Sequence, residues 1–114
     1  MRIISGSQRG RKLLGPRDAS VRPALDNIRE AVFNILSAEV EGARVLDLFC
    51  GVGAFGLEAL SRGARRAHFV DNSSGSLAIL GRNIELLGFD AFSSVEQGDA
   101  YGFSSADASA YDLV

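Results

Sequence analysis

Hydrophobic and polar positions alternate along the second half of the chain in blocks that predict repeated strand and helix units. Short apolar runs, typical of strands buried in a parallel sheet, are separated by segments with helical periodicity. Gly63 and Gly88 follow the two helical segments, as helix-ending glycines do. This order predicts an α/β fold with a parallel sheet and right-handed crossovers. The predicted strands are 44–49, 67–70, 94–97 and 111–114, and the predicted helices are 54–62 and 76–87.

The residues ahead of these units predict a hairpin and a further helix. Residues 2–5 and 12–14 are β-prone and are separated by a glycine-containing basic loop, which favours a hairpin. Pro23 stands where a helix can begin. Apolar residues then recur at the i, i+3, i+4, i+7 and i+8 positions that predict one buried helical stripe, formed by Ile28, Ala31, Val32, Ile35 and Leu36.

The segment RVLDLFCGVGAFG, residues 44–56, joins the first of these strands to a glycine-rich turn. Gly51, Gly53 and Gly56 allow a tight turn with close backbone approach to a ligand. A structural turn that binds nothing is the simplest alternative. Three glycines at this spacing, with acids at the strand ends, exceed what such a turn requires, so the segment favours a cofactor site.

Two classes of cofactor fit the glycine spacing. The glycines satisfy the G-x-G-x-x-G pattern of dinucleotide-binding folds, and Asp71 lies 20 residues after Gly51, where a ribose-binding acid belongs. Asp47 argues against a pyrophosphate, because two unit charges about 6 Å apart at an effective dielectric of ~20 repel by about 2 to 3 kcal/mol. S-adenosylmethionine carries a sulfonium and an ammonium group and no phosphate. Asp47 therefore favours the methyl donor.

Three acids fall at or just after the predicted strand ends: Asp47, Asp71 and Asp99. Ligands of parallel sheets bind at the carboxyl ends of the strands. The two oxygens of Asp71 suit both ribose hydroxyls, and Asp99 could accept from an adenine amine, with the backbone at Ala100 beside it. A solvated loop acid at Asp71 and a Gly-Asp turn at Asp99 are the alternatives.

Composition sets the class of protein. The 114 residues are 46% hydrophobic and 23% charged, with no apolar run long enough to span a bilayer, which predicts one soluble domain. The first residues lack a secretory signal, and the single Cys50 cannot form an internal disulfide, so we expect a cytoplasmic protein. We expect Cys50 to be a small buried residue and His68 to lie within a strand. One histidine and one cysteine predict no metal site.

Charge is distributed unevenly. Residues 1–22 contain six basic side chains and one acidic side chain, whereas the remainder contains six basic and 13 acidic side chains. A basic leading segment suits phosphate contacts to nucleic acid. A solvated surface hairpin is the alternative.

With these residues in view, the chain resembles the bacterial 16S rRNA (guanine-N2)-methyltransferase family, within the class I S-adenosylmethionine-dependent fold. RIISGSQRGRKL resembles the N-terminal hairpin of that family and RPALDNIREAVFNIL the helix that follows. VLDLFCGVGAFGLEALSRGA resembles its cofactor motif, FVDN its ribose-binding strand end, and ELLGF and QGDA match more loosely. The family usually has two threonines after the RP pair, where this chain has Ala24 and Leu25, so any hydroxyl contact there is in doubt.

The resemblance implies a Rossmann-like sheet with flanking helices, S-adenosylmethionine as cofactor, and ribosomal RNA or the small subunit as partner. Composition, as described above, predicts no membrane and no metal partner. It implies cofactor contacts by Asp47, Phe49, Gly51, Gly53, Asp71, Asn72, Asp99 and Ala100. It also implies RNA contacts by Arg2, Arg9, Arg11, Lys12 and Arg22.

Family members continue from a strand like YDLV into an Asp-Pro-Pro-aromatic motif that holds the target amine. This motif is absent from residues 1–114, so we expect a truncated enzyme that lacks part of the sheet and any catalytic residue. The predicted organisation is a basic RNA-contacting extension, residues 1–22, and a partial cofactor-binding domain, residues 23–114. An NAD-dependent oxidoreductase and a non-catalytic RNA-binding module are the competing functions.

Overall fold

The structure, a computed structural model, describes residues 1–15, 22–102 and 110–114. Three parallel strands form its sheet in the order β1 (Arg44–Leu48), β2 (Arg66–Asp71) and β3 (Ser93–Gln97). The helices are α1 (Arg22–Val40), α2 (Ala54–Ser61) and α3 (Ser74–Leu87), and short 3-10 turns cover Asp90–Phe92 and Ala100–Gly102. The predicted alternation of strands and helices in a parallel sheet is therefore confirmed.

The register of the sheet brings the strand ends together. Leu48 of β1 pairs with Val70, and Asp71 at the end of β2 pairs with Gln97 of β3. The carboxyl ends of all three strands consequently lie at one edge. On the other side of β1, Leu113 forms a single parallel bridge with Val45, and its carbonyl accepts the Leu46 N–H at 2.8 Å. Residues 111–114, expected as a strand, contribute this bridge and backbone hydrogen bonds from Asp112 and Leu113 to the Arg44 carbonyl, but no full strand.

The element boundaries follow local backbone chemistry. β1 ends at Leu48 rather than Phe49, because Phe49 already has a φ of 57°. α3 begins two residues earlier than predicted, since the Ser73 hydroxyl caps it by accepting the Ser76 N–H at 3.2 Å. Gly88 ends α3 in the left-handed region, with a φ of 71°, as predicted from sequence.

The core lies between the sheet and the helices α2 and α3. Phe69 of β2 is fully buried at its centre, with Leu57 and Leu80 packed around it. Gly56 is required at the start of α2, because a Cβ atom there would lie 2.3 Å from the Phe69 ring. This close approach fixes α2, and the turn before it, against β2.

The buried stripe predicted for α1 is only partly correct, because Val32 and Leu36 are half-buried but the other three residues are exposed. Ile28 and Ile35 are 54% and 84% exposed, and Ala31 is exposed too. The helix instead buries Arg29 and Phe33, at 1% and 4% exposure. The reason is an ion pair that the periodicity does not reveal: the guanidinium of Arg29 lies 3.5 Å from the carboxylate of Glu58, which is itself fully buried on α2.

The N-terminal hairpin, residues 1–14, packs on this layer of helices. Arg2 and Lys12 form an antiparallel bridge, which confirms the predicted hairpin. Ile3 and Leu13 are buried beneath it. Within the described ranges, none of the helices is both long enough and apolar enough to cross a bilayer.

Candidate cofactor site

A tight turn, residues 49–53, connects β1 to α2, and we call it the glycine turn. Its backbone takes positive φ angles at Phe49 (57°), Gly51 (55°) and Gly53 (92°). The Cys50 N–H donates to the Val70 carbonyl at 3.0 Å, and the Gly53 N–H donates to the Cys50 carbonyl at 2.9 Å. Phe49 is the one non-glycine residue with positive φ in the described ranges, which costs about 1 to 2 kcal/mol.

Asp71, at the carboxyl end of β2, fastens the glycine turn to the neighbouring strand. Its Oδ2 accepts the Gly51 N–H at 2.8 Å, and its Oδ1 accepts the Ser73 N–H at 2.8 Å. A carboxylate has about four acceptor positions, so each oxygen of Asp71 retains one for a ligand hydroxyl. The structure thus places this predicted ribose ligand directly beside the turn.

Asp47 contributes a half-buried carboxylate on β1, one residue before the strand ends. Its Oδ2 accepts the Gly56 N–H at 3.0 Å. Burial raises the pKa of Asp47 to about 6, the Gly56 bond opposes this, and the charge of Asp71 adds to the increase. None of the cationic side chains that the structure describes pairs with this carboxylate. A positively charged ligand would supply the missing countercharge.

The third acid lies beyond β3 at the same edge. Asp99 is exposed, and its Oδ1 accepts the Tyr101 N–H at 2.9 Å. This bond lies at the start of the 3-10 turn that contains Ala100. The Gly98 N–H donates to the Asp71 carbonyl at 3.0 Å, so the segment that carries Asp99 is tied to the end of β2. Asn72, also exposed, accepts a bond from the Gln97 amide at 3.4 Å. The structure therefore brings the predicted cofactor residues to one edge of the sheet.

An aromatic pair at this edge was missed by the sequence analysis. The rings of Phe49 and Tyr101 meet edge to face, with centroids 5.3 Å apart, although both side chains are largely exposed. The pair connects the loop after β1 to the loop after β3. An aromatic residue two positions after Asp99 was the available signal.

An open apolar cavity of about 570 Å³ borders the same site. Residues of α1, β1 and α2, together with Leu113 and Val114, line it, and it includes Asp47 and Phe49 but neither Asp71 nor Asp99. The cavity and the acid-lined edge are therefore neighbours that share Asp47 and Phe49.

The other candidate reactive groups do not form a second site. Burial raises the pKa of the Cys50 thiol to about 12, with the charges of Asp47 and Asp71 adding to the effect, so Cys50 is a poor nucleophile. His68 lies between the side chains of Ser94 (2.6 Å) and Glu96 (3.1 Å) on the sheet surface. Within the described part of the chain, no three His, Cys, Asp or Glu residues cluster as metal ligands would.

The basic side chains of the hairpin are exposed on its surface. Arg9 lies in the loop, and Arg2 and Lys12 sit opposite each other in the ladder. Arg11 is already engaged, because its guanidinium donates to the Leu86 carbonyl at 2.8 Å and to the Gln8 side chain at 3.3 Å. The side chain of Arg22 lies outside the described residues.

The parallel sheet, the glycine turn after β1 and the acids at successive strand ends define the class I S-adenosylmethionine-dependent methyltransferase fold. The solved structure of yhhF from Escherichia coli superposes with a TM-score of 0.76 at 37% identity, over 88% of this chain and 52% of that one. The model of the family described as "Conserved hypothetical protein 95" matches residues 1–114, and the chain belongs to this family.

Two relatives give the extent of the similarity. YlbH of Bacillus subtilis is 39% identical over 100 residues, which cover 88% of this chain and 54% of the relative. Ribosomal RNA small subunit methyltransferase D of Haemophilus influenzae is 36% identical over 107 residues, covering 94% of this chain and 53% of the relative. The chain thus spans about half the length of these relatives.

Proposed function

We propose that this chain holds the cofactor and grips the RNA in a methyltransferase that moves a methyl group from S-adenosylmethionine to the exocyclic N2 of a guanine in small-subunit ribosomal RNA. The family membership and the name of the Haemophilus influenzae relative support ribosomal RNA as substrate. The guanine N2 target follows from the resemblance described above.

One observation carries the cofactor assignment. Asp47 is a half-buried carboxylate beside the glycine turn, with a pKa raised to about 6 and no partner among the described cations. The sulfonium and ammonium groups of S-adenosylmethionine would neutralise this charge, whereas the pyrophosphate of NAD would oppose it. The donor set therefore fits the methyl donor and argues against the oxidoreductase alternative.

Different residues of the site would contact different parts of the cofactor. Asp47 and the glycine turn, with Gly51 and Gly53, take the methionine end, Asp71 with Asn72 takes the ribose, and Asp99 with the Ala100 backbone takes the adenine. Phe49 closes the site beside the turn. When bound, the cofactor supplies a sulfonium methyl group that is already activated, so the protein needs to position it more than to exchange protons. We assign no catalytic residue within 1–114.

The chain would have two functional parts, which meet at residue 22. The basic extension 1–22 would contact RNA phosphates through Arg2, Arg9, Arg11, Lys12 and Arg22, and residues 23–114 would hold the cofactor. The cytoplasmic location, and the absence of a membrane or metal partner, stay predictions from sequence.

Transfer of radiolabelled methyl groups to RNA tests the proposal. The full-length protein is incubated with labelled S-adenosylmethionine and small-subunit RNA that lacks the modification, and the nucleoside products are separated. We expect label in N2-methylguanosine, lost in Asp71→Ala while RNA binding is retained. RNA binding without label in any nucleoside would favour the non-catalytic RNA-binding module instead.

A further inference from the structure

A buried amide on α3 joins the hairpin to the glycine turn. Asn83 is fully buried, and its Oδ1 accepts the Leu14 N–H at 2.7 Å. Its Nδ2 donates to the Leu14 carbonyl at 2.9 Å and to the Val52 carbonyl at 3.1 Å. One side chain therefore pairs with both backbone groups of the last hairpin residue and with the peptide in the middle of the glycine turn.

This junction is specific to an amide side chain. Among uncharged side chains, only Asn and Gln offer two N–H donors and a carbonyl acceptor at one end. An apolar residue of the same size would leave these three partly buried backbone groups without this hydrogen-bond partner. The amide thus maintains a connection that general apolar packing could not provide.

The glycine turn is packed directly against α3. A Cβ atom at Gly53 would lie 2.3 Å from the Leu80 side chain, so the turn is packed directly against the helical turn that precedes Asn83. Val52 is therefore linked to α3 by this packing and by its bond to Asn83, and Asn83 links α3 to Leu14.

The other strand of the hairpin is held on α2, the helix that begins at the glycine turn. The fully buried Glu58 carboxylate accepts the Ile4 N–H at 2.8 Å and the Ser5 N–H at 3.1 Å. The Ser61 hydroxyl donates to the Ser5 carbonyl at 2.6 Å. Both strands of the hairpin are therefore hydrogen-bonded to the helices that flank the glycine turn. One strand is bonded to α2 and the other to α3.

We propose that Asn83 is a positioning residue that couples RNA binding at the hairpin to cofactor binding at the glycine turn. This inference rests on the proposed function. A cofactor that fixes the Val52 peptide also restricts Asn83 and the end of the hairpin, so RNA meets a surface that is already ordered. Because such coupling is reciprocal, RNA tightens cofactor binding by the same factor.

Calorimetric titration of S-adenosylhomocysteine into the full-length protein, with and without small-subunit RNA, measures the coupling. We expect RNA to lower the Kd by about fivefold or more. Asn83→Asp keeps the shape and the acceptor but replaces the amide donors with an oxygen that faces two carbonyls, so the ratio of Kd values should fall towards one. Glu85→Gln, on the exposed face of α3, is the matched control and should keep the full ratio. Equal ratios in the unaltered protein and Asn83→Asp would overturn the inference.

Amide hydrogen exchange of the unaltered protein tests the same coupling without a variant that could fail to fold. S-adenosylhomocysteine should slow exchange at Gly51, beside the ligand, and also at Leu14, whose N–H donates to Asn83. Protection at Gly51 without any change at Leu14 would overturn the inference and leave the proposed function intact. Protection at neither amide would overturn both.

Discussion

At the scale of single residues, the proposed cofactor site contains a carboxylate whose ionised form is unfavourable in the folded protein. Asp47 is half-buried, lies near Asp71, and accepts one backbone N–H. A protein retains such a group where a ligand later compensates it, since unpaired buried charges lower stability. The identities of Asp47, Asp71 and Asp99 and their strand-end positions were predictable from sequence, because they follow from local spacing. The partial burial of Asp47 was not predictable, because it depends on how α2 packs over the strand.

Asp47→Asn should separate stability from binding. Asn keeps an acceptor for the Gly56 N–H and removes the half-buried charge, so at pH 7 the free energy of unfolding should rise by about 1 to 2 kcal/mol. Affinity for S-adenosylmethionine should fall about 10- to 100-fold, since the countercharge is lost. Urea unfolding and calorimetry measure the two effects. A variant that is less stable than the unaltered protein would contradict this account of Asp47.

The stability difference between the two proteins should depend on pH in a defined direction. The folded pKa of Asp47 is raised from 3.8 to about 6, so the native state binds more protons than the unfolded state between these values. The contribution of Asp47 is therefore full below about pH 4 and is lost as the pH rises through about 6. We expect the advantage of Asp47→Asn to be small at pH 4 and largest above pH 7. A difference that is constant across this range would contradict the raised pKa.

Cofactor affinity should change over the same range. A cationic ligand favours the ionised Asp47, so binding releases a proton. The Kd for S-adenosylmethionine should be constant above about pH 7 and rise towards tenfold per pH unit below 6, and this rise should be absent in Asp47→Asn. Calorimetry between pH 5 and pH 8 makes the comparison. An unaltered protein with no pH dependence would place the cationic groups away from Asp47.

At the scale of elements, sequence periodicity predicted the existence and order of strands and helices but not the orientation of α1. The strands, α2 and α3 are set by local apolar runs and by glycines at helix ends, which are visible in the sequence. The rotation of α1 is set by Arg29, which meets Glu58 almost thirty positions later. Sequence patterning treats an arginine as a surface residue, so it placed Ile28 and Ile35 inside.

The hairpin is joined to α2 by close backbone contact as well as by hydrogen bonds. Gly6 and Gly10 both have positive φ, at 88° and 82°. A Cβ at Gly6 would lie 1.8 Å from the Ser61 carbonyl oxygen, whereas a Cβ at Gly10 would meet nothing within 4 Å. The two glycines are therefore matched in backbone strain and differ in the contact.

Alanine substitutions at these two positions should differ in stability. Gly10→Ala should cost about 1 to 2 kcal/mol, which is the penalty for a left-handed non-glycine residue. Gly6→Ala should cost more, because the clash with Ser61 is added and the hairpin must detach from α2. Urea unfolding of both variants gives the comparison. Equal losses would show that the hairpin tip is not held against α2 as the structure has it.

At the scale of the whole molecule, a basic hairpin lies on the layer of helices while the acids gather at the carboxyl edge of the sheet. Hydrogen bonds to α2 and α3 connect the hairpin to the glycine turn, which lies beside these acids. Sequence analysis predicted the charge separation. It could not predict that Glu58 and Asn83 connect the parts, because buried polar residues leave no periodic signal.

Two arginines of the hairpin should respond differently to substitution. Arg9 is exposed in the loop, so Arg9→Gln should weaken RNA binding and lower the logarithmic salt slope by about 0.7 to 0.9. Arg11→Gln should also reduce stability, because its guanidinium bonds the Leu86 carbonyl. Filter binding over a range of salt concentrations, with urea unfolding, separates the effects. An unchanged salt slope in Arg9→Gln would remove Arg9 from the RNA contacts.

The most direct measurement of the central claim is calorimetric titration of the unaltered protein with S-adenosylhomocysteine and, separately, with NAD. We propose that the acid-lined edge beside the glycine turn binds a nucleoside that carries a positive charge and does not bind one that carries a diphosphate. S-adenosylhomocysteine keeps the ammonium group and should saturate a single site, while NAD should give no heat of binding at the same concentrations. Saturation by NAD, with no binding of S-adenosylhomocysteine, would contradict the account.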